Sequence, residues 1–223
     1  MSERYSTVFF DLDGTLLDSI PGIVASLRYS LQKGLGWAPT DKDLVAGIGT
    51  TLDDQLLHHG LTHLGRRLTD SELEQFRTTY IDHNLSTHDA TIKSYPGVSH
   101  ALARLSDAGI YQGIVTSKPQ STARRGLRVC GLEQHFEFVV GYDDVIHPKP
   151  HPEPIIKALK LANVGADEAV FVGDSPHDIL AGRRAGVATV AAQWGPFDET
   201  QLNQAEPTYQ FLKIDAFVDW ILS

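Results

Sequence analysis

The sequence predicts an α/β fold, a doubly wound parallel sheet interrupted by an all-helical insert, and three observations carry that reading. An apolar, β-prone run over residues 7–10 stops at Asp11-Leu12-Asp13-Gly14-Thr15, as a buried strand bounded by a turn does. From Ser19 to Ile92 only helical spacing is legible. From Tyr95 onward β-prone runs alternate with helical patterns, which implies parallel strands covered by helices on both faces.

In chain order, Ser19 and Pro21 open the first helix in the N-cap and N1 roles. Ile23, Val24, Leu27 and Leu31 give it an apolar face, and Gly34 and Gly36 end it. Thr40 and Asp43 have capping-box spacing for a short helix. The segment Gly47-Ile48-Gly49-Thr50-Thr51 breaks the pattern, a helix follows over 52–61, and Thr69-Asp70-Ser71-Glu72 caps another that runs to about Leu85. After Tyr95-Pro96-Gly97 come helix 98–108 with strand 111–115, helix 120–129 with strand 138–140, helix 154–162 with strand 169–172, and helix 177–185 with strand 187–191. Residues 209–222 read as an edge segment and a closing helix. The expected division is a core from 1–17 and 93–223 around a helical cap over 18–92, with no internal repeat or low-complexity tract.

Composition narrows the function classes. With 42% hydrophobic and 21% charged residues the 223-residue chain is ordinary for a globular protein with a proper core. A net charge of −9 argues against general attraction to nucleic acid or anionic membrane, so an anionic substrate needs local cations. The single cysteine, Cys130, excludes an intramolecular disulfide and fits a reducing compartment. No run reaches the length of a membrane span and the N-terminus has no signal-peptide core. A cytoplasmic monomer or homodimer is expected.

In doubly wound sheets ligands bind beyond the carboxyl ends of the strands, so the strand ends hold the candidate chemistry. At a strand's period of two, Asp11 and Asp13 project to one side. Paired carboxylates there call for a cation, and a hard divalent ion, Mg²⁺, suits oxygen ligands. One carboxylate can then act as nucleophile and the other as general acid/base. The second core strand ends in Thr116-Ser117-Lys118, whose hydroxyls and backbone N–H groups can hold a phosphoryl oxygen. Lys149 sits among Pro148, Pro150, Pro152 and Pro154, which are expected to hold an extended strap, with His147 and His151 as shaping or hydrogen-bonding neighbours. A further strand ends in Gly173-Asp174, and Asp178 follows at a helix start. Asp174 can complete an oxygen shell with Asp11 and the Asp13 carbonyl, and Asp178 can hold a metal-bound water.

Asp11-Leu12-Asp13-Gly14-Thr15, Thr116, Lys149 in Lys-Pro-x-Pro, and Gly173-Asp174 with Asp178 stand in the order of four motifs. Together they resemble the haloacid-dehalogenase superfamily, and they span the whole non-cap part of the chain. The resemblance implies a Rossmann-like core with a type 1 helical cap and a Mg²⁺-dependent phosphatase working through an aspartyl-phosphate. It implies Asp11 as nucleophile, Asp13 as acid/base, Thr116 and Lys149 as catalytic supports, and Asp11, Asp13, Asp174 and Asp178 around the metal. Leu12, Ser117, Lys118, Gly49 and Thr50 are the expected phosphate and substrate contacts. Asp13 separates the chain from the superfamily's dehalogenases, which lack an acid there.

The cap is expected to choose the ester. Gly47-Ile48-Gly49-Thr50 looks like the loop that phosphoglycolate phosphatases and related pyrophosphatases present to the site. Phosphoglycolate is the first expectation, with pyrophosphate or another small phosphorylated metabolite next. A β-phosphoglucomutase-like mutase is disfavoured by Ser19-Ile20-Pro21 in place of that group's histidine, and a phospho-acceptor switch by the inserted helical block. Arg66, Arg67, His58, His59 and His63 read as a solvated cap face.

Overall fold

The computed structural model describes residues 5–223. Strand β1 (Thr7–Phe10) is buried throughout because its neighbours flank it on both sides. It pairs in parallel with β2 (Tyr111–Val115) and with β4 (Ala169–Gly173). The sheet is completed by β3 (Phe138–Val140), β5 (Ala188–Ala192) and β6 (Tyr209–Phe211), in the order β3-β2-β1-β4-β5-β6 with all pairs parallel. Chain order reverses between β1 and β4, so the crevice at their carboxyl ends is the place where this topology holds a ligand.

The alternation of β1 is visible in its packing. Val8 and Phe10 face the core formed with helices α5 (Val98–Asp107), α6 (Gln120–Val129) and α10 (Ile214–Ile221). Phe9 faces the opposite core, against α7 (Glu153–Ala162) and α8 (Pro176–Ala185). Short helix α9 (Glu199–Gln204), which the sequence reading lacks, is capped by Asp198 and buries Leu202.

Between β1 and α5 run α1 (Ile20–Leu35), α2 (Asp41–Ala46), α3 (Leu52–Leu64) and α4 (Asp70–Thr91). Their apolar cluster includes Leu27, Leu31, Leu56 and Phe76 and continues into Ile179 and Leu202. Thr40, Thr51 and Thr69 each cap their helices through a side-chain oxygen, and Thr69 with Glu72 forms a full capping box. The segments entering and leaving this block pair with each other: Asp18 N–H donates to Lys93 O at 2.8 Å and Tyr95 N–H to Leu16 O at 3.0 Å. No helix among the described residues is long and apolar enough to cross a membrane.

Several local expectations are corrected. Ser19 makes no side-chain cap, because its hydroxyl turns to Asp13, and α1 starts at Ile20 so that Pro21 is its second residue. Only Gly36 ends α1, in the left-handed region. Gly34 lies inside α1, where the Phe76 ring occupies the space of a side chain, 1.6 Å from where a Cβ would lie. Helix α4 continues to Thr91 and α3 to Leu64, since each ends at its own backbone cap beyond the apolar pattern. The proline strap is not extended: His151 N–H closes a turn onto Pro148 O at 3.0 Å.

Candidate active site

Asp11 follows β1 directly, and its N–H continues the ladder by donating to Val172 O at 2.8 Å. Gly14, at φ +87°, turns the chain where a Cβ would lie 2.4 Å from Asp174 Oδ2. The turn therefore admits only glycine. It brings Thr15 back so that its hydroxyl donates to Asp174 Oδ1 at 2.6 Å.

Asp11, Asp174 and Asp178 converge, each with a carboxylate oxygen within 4.8 Å of the others, and all three are buried. Lys149 Nζ, also buried, donates to Asp11 Oδ1 at 2.8 Å, Asp178 Oδ1 at 2.5 Å and Val115 O at 3.2 Å. Asp178 Oδ2 is taken by the hydroxyl and N–H of Ser175 at 2.6 and 3.0 Å. Asp174 Oδ2 is buried with no partner.

One ammonium faces more negative charge than it can neutralise. Burial pushes the Asp11 carboxyl up to about 7, against the pull of Lys149 and with the help of Asp178. Burial first, then repulsion from Asp11 and Asp178, raises Asp174 well above the usual carboxylate range. Burial alone would lower Lys149, but the attraction of Asp11 and Asp178 outweighs it and keeps the ammonium charged. An all-oxygen donor set with an orphaned buried carboxylate oxygen fits a hard divalent cation.

The Asp13 carboxylate stands apart from this cluster. Its Oδ1 accepts from Ser19 Oγ and, at 2.7 Å, from Lys118 Nζ. Thr116 is buried and its Oγ1 accepts the Lys118 N–H at 3.2 Å. Ser117 Oγ donates to Gly49 O at 2.7 Å, joining the strand end to the helical block. Leu12 has its side chain fully in the core, so only its backbone is available to a ligand.

Asp11, Asp13, Gly49, Thr50, Thr116, Ser117 and Lys118 thus share one cavity of about 210 Å³, roofed by α1, α3 and α4. Arg66 instead pairs with half-buried Glu72, and Arg66, Arg67, His58 and His63 lie outside this cavity. His59 corrects the expectation of a solvated face: it is 2% exposed and its Nε2 has no partner. His147 Nδ1 and Glu153 Oε2 lie 2.8 Å apart, and His151 Nδ1 accepts the Glu153 N–H at 3.2 Å, so both histidines brace the strap.

Residues that the motifs do not flag complete the site. Trp194 Nε1 donates to Thr15 O at 2.8 Å, and Gly195 leaves room for Asp174, whose Cβ would be 2.4 Å from an added methyl. Both lie just past the end of β5 at Ala192, in the region where the strand-end rule looks for ligands. Arg77, Tyr80 and Asn84 reach the cavity from α4 at the three- and four-residue spacing of one helix face.

A family model of haloacid dehalogenase-like hydrolases matches residues 8–192. The pyrophosphatase PpaX of Halalkalibacterium halodurans is 33% identical over 214 residues, covering 96% of this chain and 95% of that protein. PpaX of Bacillus cereus is 34% identical over 211 residues, covering 95% and 94%. The crystal structure of a predicted phosphoglycolate phosphatase from Haemophilus somnus shares the fold, with a TM-score of 0.89 over 99% of both chains at 24% identity. With the family model spanning most of the sequence and relatives above 30% identity along nearly its whole length, the chain belongs to the haloacid dehalogenase-like hydrolases.

Proposed function

We propose that the protein is a Mg²⁺-dependent phosphohydrolase of small phosphorylated metabolites, acting in the cytoplasm through an aspartyl-phosphate. The observation that supports this best is the contact of Lys149 Nζ with Asp11 at 2.8 Å, beside Asp174 and Asp178, with Asp11 itself lining the cavity. In this reading residues 5–17 and 93–223 form the catalytic core, residues 1–4 of the expected core lying outside the described residues, and 18–92 form a cap that closes over the substrate.

Asp11, Asp174, the Asp13 carbonyl and Asp178, the last through a water, are the groups that would hold Mg²⁺. When bound, the ion supplies charge neutralisation for the phosphoryl oxygens. Asp11 Oδ forms the bond to phosphorus as the bond to the leaving oxygen breaks, and Asp13 gives that oxygen a proton. Asp13 then takes a proton from water, which attacks phosphorus and releases inorganic phosphate with Asp11 restored. Lys149 offsets charge on Asp11 and on the transferring group, while Thr116, Ser117, Lys118 and the Leu12 backbone hold phosphoryl oxygens. Lys118 and Ser19 occupy Asp13 Oδ1, which leaves Oδ2 to carry the proton.

Pyrophosphate is favoured as a substrate by the likeness to the PpaX proteins. Phosphoglycolate has support only from the cap loop and from neighbours that share the fold. The Asp11→Asn variant tests the scheme: turnover of an aryl phosphate with Mg²⁺ should vanish, and wild-type rates in that variant would refute it.

A further inference from the structure

Among the described residues, two groups bring three metal-ligating side chains together. One is the buried acidic cluster of the site, and the other is His147, His151 and Glu153, whose ligand atoms lie within 4.8 Å of one another. This second group belongs to the proline strap and takes no part in the scheme above. Both histidines are exposed, whereas Lys149 between them is buried and holds Asp11 and Asp178.

Glu153 is already fixed as a ligand would be. It opens α7, where its Oε1 accepts the Ile146 N–H at 2.9 Å and its Oε2 the His147 N–H at 3.0 Å. The Ile146 N–H first, and then the His147 ring, hold its carboxyl below the usual range. A carboxylate only accepts, so His147 Nδ1, 2.8 Å from Oε2, carries a proton. His151 Nδ1 accepts the Glu153 N–H at 3.2 Å and therefore presents a lone pair. A tetrahedral ion with bonds of about 2.0–2.1 Å keeps its ligand atoms about 3.3–3.4 Å apart. The distances from Glu153 Oε2 to the two Nδ1 atoms, 2.8 and 4.0 Å, lie on either side of that value. An ion between them takes the place of the His147 proton, which passes to Nε2 of the same ring. At His151 it replaces the Glu153 N–H. Two imidazoles with one carboxylate suit a borderline ion such as Zn²⁺, while Mg²⁺ prefers the all-oxygen cluster.

We infer that His147, His151 and Glu153 form a second metal site, for Zn²⁺ or an ion of its class, with water in the fourth position. The site clasps the strap on both sides of Lys149 in sequence. It shares no ligand with the acidic cluster, so it stands or falls independently of the phosphohydrolase reading.

Titration calorimetry of the full chain with Zn²⁺, in excess Mg²⁺ to fill the acidic cluster, tests it. The wild type should show a saturable Zn²⁺ site that weakens at least tenfold in His147→Ala and in His151→Ala. In Asp174→Asn, which alters only the acidic cluster, the same site should keep its affinity within about twofold. Zn²⁺ affinity unchanged in both histidine variants, or no saturable uptake by the wild type, overturns the site, as does its loss in Asp174→Asn. Zinc-edge anomalous diffraction from wild-type crystals grown with Zn²⁺ and Mg²⁺ needs no variant. A peak within bonding distance of both imidazoles and Glu153 is expected, and a zinc peak at the acidic cluster with none on the strap overturns the inference.

Discussion

Ser117 and Gly49 join the two halves of the cavity: the Ser117 hydroxyl donates to the Gly49 carbonyl at 2.7 Å across 68 residues of sequence. Gly49 sits at φ +96°, and a Cβ there would lie 2.7 Å from Ser175 Oγ. The helical block therefore touches the core through a backbone that only glycine accommodates. Ser117→Ala should remove one hydrogen bond, about 0.5–1.5 kcal/mol, and raise KM for an aryl phosphate roughly two- to tenfold with little change in Tm. Gly49→Ala should do more, because the strain and the contact with Ser175 both push the loop away. Equal KM values in the two variants would show that this closure does not matter to binding.

Lys149 balances two buried carboxylates at once. Its replacement by methionine keeps the stem's volume and removes the charge, leaving Asp11 and Asp178 uncompensated. Breaking a buried ion pair from one side costs about 3–5 kcal/mol. Lys149→Met should thus lose turnover and unfold at lower urea in Mg²⁺-free buffer. Unchanged urea midpoints would mean that the charge is balanced elsewhere.

The strand ends are the part of this site that the sequence makes legible. Asp11, Thr116 and Asp174 each follow an apolar run that can only be a buried strand, so their convergence follows from parallel order. Asp178 and Lys149 are legible through family resemblance, since neither a helix-start acid nor a lysine between prolines declares its partner. The roof of the cavity is not legible in the same way. Arg77, Tyr80 and Asn84 share a helix face, but α4 buries only Phe76, Asn84 and His88 and carries polar residues all round. Its inward side is fixed by packing on α1. Ser19 misleads for a related reason: its position is that of a helix cap, yet the carboxylate of Asp13, earlier in the loop after β1, is a stronger acceptor for its hydroxyl.

Gly34 offers a test of that packing apart from chemistry. In a helix interior Gly→Ala ordinarily gains up to about 1 kcal/mol. Here the added methyl would overlap the Phe76 ring at 1.6 Å, and overpacking of this kind costs about 1–3 kcal/mol. Gly34→Ala should lower Tm by several degrees, while Gly36→Ala, with nothing within 4 Å of its Cβ, is strained only by its φ of +67°. A higher Tm for Gly34→Ala would mean that α1 and α4 separate at little cost.

The acidic cluster makes stability depend on pH with an unusual sign. Burial holds the Asp11 carboxyl up to about 7, against 3.8 for a solvated one. Below the unfolded value both states keep the proton, and above about 7 neither does. Between them the folded protein binds more protons than the unfolded chain, so stability falls as pH rises through that window. The metal-free protein should therefore melt higher near pH 5 than near pH 8. Mg²⁺ favours the ionised carboxylates, so saturating Mg²⁺ should raise Tm more at pH 8 than at pH 5. Asp11→Asn removes one of the two raised carboxyls and should weaken both dependences, Asp174 carrying what remains. Calorimetry of the wild type and Asp11→Asn, with and without Mg²⁺ at the two pH values, checks the sign directly. A metal-free wild type that melts higher at pH 8 would mean that Lys149 already holds Asp11 ionised.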